Sequence, residues 1–288
     1  MNAFEYILSK QVQWANNHKI KLTGSKEKRG RLAYTKTIEE NLFEPLLSEV
    51  INSFNDGDGN ELSEVSDSLP KMHAVHSSSA LSVNIFQYWL RIRQVPEIAY
   101  ACGLCKKNNR HPENIKFESK FSISQQFRFS PNIDVVIENS SKSPFRVYAI
   151  ECKFSEAYSS QGHSGIDPKY LNLERVWNDL PHLHNFAKSI SPKDKIFKFL
   201  HPAQLVKHIL GLKGKYGKNR FRLLYLWYDC LGDDGATHRR EINDFMDIAI
   251  ADSIHFHSIS YQELIIKLSN EFREAHENYI SYISSRYL

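Results

Sequence analysis

The sequence predicts an α/β fold with α+β character: a central mixed β-sheet that opens with an antiparallel meander and is flanked by helices. Three observations predict it. Apolar strand patterns at 115–123, 132–138 and 146–154 follow one another through connections too short for helical crossovers, so they pair as antiparallel neighbours. Two further strand patterns, 222–228 and 254–258, each follow a helical stretch, which joins them to the sheet through helices. Helical periodicity precedes the meander and closes the chain.

In order, residues 3–17 place Phe4, Ile7, Leu8, Val12 and Ala15 near helical spacing, and 20–35 read as a basic, glycine-containing loop. Thr37-Ile38-Glu39-Glu40 fits a capping box opening a helix that runs through Phe54. Asn55-Asp56-Gly57-Asp58-Gly59 ends it as a turn cluster; the cluster imitates the start of a calcium loop, but Glu61 stands where that loop needs glycine. Ser77 to Ser79 cap a helix to about Arg93, and a short helix covers 96–105. After the meander come a loop at 155–170 and helices at 171–190 and 202–213. Strand 222–228, helix 239–252, strand 254–258, helix 260–269 and a last helix from about 270 complete the chain. Residues 1–70 are expected as a helical extension packed on a domain of residues 71–288, the whole forming one globular unit.

The 288 residues are 41% hydrophobic and 24% charged, with a net charge of +4, which permits nucleic-acid binding without demanding it. The basic residues cluster: Lys26, Lys28, Arg29 and Arg31; Lys213, Lys215, Lys218, Arg220 and Arg222; His238, Arg239 and Arg240. Singly each reads as a solvated loop; beside an acidic site they read as phosphate contacts. No stretch approaches the roughly 18–20 apolar residues of a membrane span, and the start lacks the pattern of a signal peptide. Four cysteines in such a chain do not suggest a disulfide scaffold. The expected compartment is the cytoplasm.

The chemistry concentrates on two neighbouring strands. Asp134 sits between Ile133 and Val135 and is expected to face away from the buried side. Glu151 and Lys153, two apart in Ile150-Glu151-Cys152-Lys153-Phe154, share a face, while Ile150, Cys152 and Phe154 point into a core. Pairing the strands brings Asp134 near Glu151 and Lys153, a set able to hold a hard cation and an activated water. From spacing alone, an ordinary salt bridge on an exposed sheet face is the commoner reading.

Asp134 followed by Glu151-x-Lys153 resembles the PD-(D/E)XK nuclease superfamily, with the proline offset as Pro131-Asn132-Ile133-Asp134. An ordered set of pieces resembles an uncharacterised bacterial restriction-endonuclease-like branch of it. They are Gly57-Asp58-Gly59-Asn60-Glu61-Leu62, His76-Ser77-Ser78-Ser79-Ala80-Leu81, the acidic core, Gln204-Leu205-Val206-Lys207-His208 and Tyr225-Leu226-Trp227-Tyr228-Asp229. The resemblance implies a restriction-endonuclease-like core and a metal-dependent endonuclease acting on double-stranded DNA, in defence against foreign DNA. It implies Mg2+, with Mn2+ able to substitute, held by Asp134, Glu151 and the backbone carbonyl of Cys152. Lys153 then orients or deprotonates the attacking water, or neutralises the developing charge. A homodimer is compatible with it. The alternative is a nucleic-acid-binding protein that keeps the fold without catalysis.

Many superfamily members supply another acid from the helix before the sheet, but 79–93 contains no Asp or Glu. Glu118, on the first strand of the meander, and Glu61 are the candidates for it. Gln204 and His208, four apart on one helix, share a face; they either contact the substrate backbone or orient Lys153, or form a plain polar edge. Some branches of the superfamily carry a related Gln-xxx-Tyr pair on this helix, with the aromatic where His208 stands here. Ser77, Ser78 and Ser79 offer hydroxyls and helix-start amides to a phosphate, or simply cap the helix. Lys213, Lys215 and Arg220 are the expected backbone contacts. Cys102-Gly103-Leu104-Cys105 lacks the second pair a structural zinc needs.

Overall fold

A computed structural model describes residues 1–26, 29–57, 59–127, 130–159 and 163–288. Lys28 of the first basic cluster and Asp58 of the turn cluster lie outside these. The helices are α1 (Ala3–Asn17), α2 (Ser48–Asp56), α3 (Ser78–Arg91), α4 (Val95–Ala101), α5 (Pro168–Leu171), α6 (Glu174–Trp177), α7 (Pro181–Ser189), α8 (Pro202–Tyr216), α9 (Asp233–Ala251), α10 (Tyr261–Phe272) and α11 (Glu277–Tyr287). The strands are β1 (Pro112–Lys120), β2 (Asn132–Asn139), β3 (Val147–Lys153), β4 (Phe221–Trp227) and β5 (Phe256–Ser260).

The five strands form one mixed sheet in chain order. β1, β2 and β3 are antiparallel neighbours, as their short connections require. β4 joins β3 in parallel after α8, and β5 joins β4 in parallel after α9. This mixed α/β architecture is the one expected and is consistent with a restriction-endonuclease-like core.

Both faces of the sheet are covered. One face carries Ile115, Phe117, Val135, Ile137, Ile150, Cys152 and Phe154 against α3, α4, α10 and α11; Ala3, Ile7, Leu42, Val50 and Phe54 join the same core. The other face carries Val136, Val147, Ala149, Leu223 and Tyr225 against α7, α8 and α9. Glu151 and Lys153 alternate in phase with Val147 and Ala149, so they point towards α8. Gly211 allows that helix its close approach: a Cβ there would lie 2.6 Å from the carbonyl oxygen of Phe121. The exposed sheet face that spacing alone suggests for Glu151 and Lys153 is not found: all seven residues of β3 are buried, and Asp134 on β2 is half-buried.

Three of the expected helices differ from the structure. The stretch 37–54 forms only a 3-10 turn at Glu39–Asn41 before α2 begins at Ser48. Glu40 does reach back to the Lys36 and Thr37 amides at 2.9 and 3.3 Å, but Pro45 cannot donate to a helical ladder. Asn41 turns inward instead, donating to the carbonyls of Met72 and Ala74 at 2.7 and 2.9 Å. The stretch 171–190 breaks into pieces, with Pro181 opening α7 after Asp179 adopts φ +63°. α9 begins six residues before the expected start, with Asp233 and Asp234 favourably placed in its first turn.

Candidate active site

β2 and β1 set out the acids. Phe117 pairs with Val135 and Ser119 with Ile133, so Glu118 stands across from Asp134. Val135 pairs with Ile150, and the same register carries Asp134 opposite Glu151. Glu118, Asp134 and Glu151 thus occupy one row across three adjacent strands. Glu118 is not in ordinary strand conformation: its φ is +48°, which an L residue adopts only at a cost. Its carboxylate accepts from the Asn132 side-chain amide at 3.1 Å. Asp134 accepts from the backbone N–H of Cys152 at 2.7 Å, where the β2–β3 ladder has ended.

Glu151 is the best-held of the three. It is 0% exposed and forms an ion pair with Lys153 at 2.5 Å through one oxygen. The other oxygen accepts from His208 Nε2 at 2.8 Å. Lys153, 8% exposed, also donates to Gln204 Oε1 at 3.1 Å. Gln204 and His208, four residues apart on α8, therefore grip the lysine and the glutamate separately. The fully buried His208 is no polar helix edge.

The charges set one another's protonation. Burial alone would raise the Glu151 carboxyl, but Lys153 and then His208 outweigh it and hold it at about 2. Burial would strip the Lys153 proton, yet Glu151 and Asp134 push that ammonium above the ordinary lysine range. Asp134 is raised well above the usual carboxylate range, by burial first and then by Glu151. Glu118 rises to about 7, from burial and the charge of Glu61, with Asn132 pulling the other way. Glu61 itself lies 3.4 Å from Lys71.

A row of carboxylates that raise one another's pKa is a place where a cation lowers the energy of the ionised forms. The oxygens suit a hard divalent ion, and Asn132 Oδ1 beside them is buried without a hydrogen-bond partner among the described residues. Among the described residues no three His, Cys, Asp or Glu side chains already converge as a ready metal cluster. The reason is visible in the contacts: Glu151 is turned to Lys153 and His208, Asp134 to the Cys152 amide and Glu118 to Asn132.

Ser77 is the N-cap of α3, accepting from the Ala80 amide at 3.2 Å. Ser77 and Ser78 line a cavity of about 670 Å³ together with Glu61, His76 and Glu156. Ser78 hydrogen-bonds Glu156, and the Ser79 carbonyl accepts from Ser82. Ser77→Ala is expected to cost about 1 kcal/mol in a denaturant melt; an unchanged melt would remove the capping role.

The other expected contacts are not brought to the acids. Lys213 and Lys215 sit about 14 Å or more along α8 from Gln204 at 1.5 Å per residue. Lys213 donates to the Val176 carbonyl at 3.2 Å, Lys215 lies over the Phe121 ring at 5.0 Å, and Arg220 is exposed before β4. Arg220 therefore stands at the opposite end of the sheet, since Phe221 pairs with Val147 whereas Glu151 pairs with Tyr225. In the third basic cluster His238 is a core residue, not a surface cation: it is 0% exposed, bonded to Tyr225 and Tyr158, and pushed down to about 3 by burial. Arg239 pairs with Asp229 at 2.8 Å and Arg31 with Glu5 at 2.7 Å.

Sequence reasoning missed Lys207, which lines a cavity beside Gln204 and His208. Its position three residues after Gln204 was the available signal. Among the described residues no helix is long and apolar enough to cross a membrane. No curated protein and no solved structure matches the chain. One family model does match, over residues 8–288, and by it the chain belongs to the family described as Restriction Endonuclease associating with ARP.

Proposed function

We propose that the chain is a metal-dependent endonuclease of the PD-(D/E)XK type that hydrolyses phosphodiester bonds in double-stranded DNA. The observation that carries this reading is the register: Asp134 of β2 stands opposite Glu151 of β3, with Lys153 bound to Glu151 and steadied by Gln204. Membership of a restriction-endonuclease family supports a nuclease-type hydrolase and DNA as its substrate. The family's description also supports an association with the partner it names.

Asp134, Glu151 and the Cys152 carbonyl are the groups to hold Mg2+ or Mn2+, with Glu118 as the added acid. Its place across from Asp134 favours it over Glu61. Such an ion supplies charge neutralisation on the phosphate and acidifies bound water. Lys153 faces the same carboxylates as a firmly protonated ammonium. That favours orienting the water or neutralising negative charge over accepting a proton. Gln204 fixes where the ammonium points, and His208 fixes the glutamate.

The test is magnesium-dependent nicking of supercoiled plasmid by the full chain. The parent is expected to nick and Asp134→Asn to lose the activity by about 10²-fold or more. Equal nicking by both would remove the assignment. A second reading, DNA binding without catalysis, draws on the lack of a ready three-ligand cluster among the described residues. It predicts salt-dependent DNA affinity with no cleavage in either metal.

A further inference from the structure

Beside the acids lies a cavity of about 400 Å³, bounded by the start of β2, residues 163–164 and the first two turns of α8. Gln204, Lys207 and His208 line it from one face of the helix. Gln204 and His208 are committed to Lys153 and Glu151. Lys207, between them, is half-buried and has neither an ion pair nor a hydrogen bond among the described residues. Burial lowers its pKa, with Glu151 pulling the other way. An ammonium withdrawn from water without a partner is unfavourable, and an arriving anion relieves that cost.

The opposite wall gives a second, independent sign. His163 has its side chain 7% exposed, and neither ring nitrogen has a hydrogen-bond partner among the described residues. Its nearest counter-charge, Asp194 Oδ2, is 3.4 Å from Nδ1, while Asp194 Oδ1 accepts from the Ile196 and Phe197 amides. His201 packs on His163 with ring centroids 4.3 Å apart. The Gln204 amide nitrogen is also unengaged among the described residues, since Lys153 uses only its oxygen. The lysines in the groove at the other end of α8 differ: Lys213 and Lys218 already donate to the Val176 and Asp179 carbonyls.

We propose that this cavity is a phosphate subsite, taking the DNA backbone phosphate next to the one facing Asp134 and Glu151. Lys207 is its ion partner, and the Gln204 amide and the His163 imidazole are its hydrogen-bond donors. The placement next to a cleaved phosphate rests on the nuclease reading; the phosphate contact itself does not.

The measurement is fluorescence anisotropy of a labelled duplex with the full chain, in chelator, over a salt series. Lys207→Ala is expected to weaken binding about tenfold and to lower the slope of log affinity against log salt by about one. Lys207→Arg is expected to restore most of both. Lys188→Ala, an exposed lysine on α7, is expected to change neither. The thermal midpoint of Lys207→Ala is expected to stay level or rise, because an unpaired ammonium is removed. An unchanged slope, an equal change with Lys188→Ala, or a lowered midpoint would each overturn the subsite. Because cleavage is silent in chelator, the two readings fail separately. A protein that never nicks but loses the slope with Lys207→Ala keeps the phosphate subsite and rejects the nuclease.

Discussion

Lys153→Met and Glu151→Gln, made singly, are each expected to abolish metal-dependent nicking and to destabilise the protein by about 3–5 kcal/mol. The stability loss follows from burial. Glu151 is 0% exposed and its compensation comes from Lys153 and His208, so removing the ammonium leaves a carboxylate out of water against one imidazole. Removing the carboxylate takes away the ammonium's ion-pair partner and leaves it buried beside Gln204, with Asp134, whose own carboxyl is raised by burial, as a remaining acid. The double variant removes both charges while keeping both shapes, and it is expected to recover most of the lost stability. Catalysis does not follow that recovery: all three variants are expected to be inactive, because the chemistry needs the charges themselves. The cycle therefore separates two readings of one ion pair. A purely structural pair recovers stability in the double variant and leaves nicking untouched in all three. Urea melts and plasmid nicking on the same preparations decide between them, and nicking that survives in the double variant removes Glu151 and Lys153 from the reaction.

That expectation differs from what spacing alone suggests, and the difference marks where the sequence stops being legible. Period-two alternation places Glu151 and Lys153 on one face of a strand, and the register of β2 against β3 brings Asp134 beside them as expected. Alternation does not say what covers that face. The cover is α8, whose apolar residues fill the second core and whose Gln204 and His208 complete the network. Pairing along a helix was readable, but its docking is a long-range event.

Strands β2, β3 and β4 are readable as compact, mostly apolar runs, while β1 and β5 show only sparse apolar positions. Two helices were misread where prolines overrule apolar periodicity, at Pro45 and Pro181. Glu118 is the clearest loss. A regular strand is expected over 115–123; β1 instead runs Pro112–Lys120 and carries a left-handed φ at one glutamate within it, a conformation that no residue preference announces. The same strained position stands opposite Asp134, as strain at functional sites commonly does.

Glu118→Gln is expected to stabilise the metal-free protein at about pH 8 by roughly 2 kcal/mol and to leave it unchanged at about pH 4. The Glu118 carboxyl is raised from its ordinary 4.5 to about 7, through burial first and Glu61 second. Between those values the folded protein keeps a proton that the unfolded chain has released. Stability therefore falls as pH rises through this window, and the loss is complete above about 7. Asp134, raised for similar reasons, contributes in the same direction. Glu151 contributes oppositely: held at about 2, it stabilises the fold above its ordinary value, and that stability is lost as pH falls towards 2. Glutamine at 118 has no proton to lose, so only the alkaline penalty disappears. A divalent cation works on the same term from the other side, since it favours the ionised carboxylates. Magnesium at about pH 8 is thus expected to raise the thermal midpoint of the parent more than that of Glu118→Gln. Melts at both pH values, with and without magnesium, read all of this. An equal magnesium gain in the two proteins would take Glu118 out of the cation's surroundings and leave Glu61 as the acid to replace next.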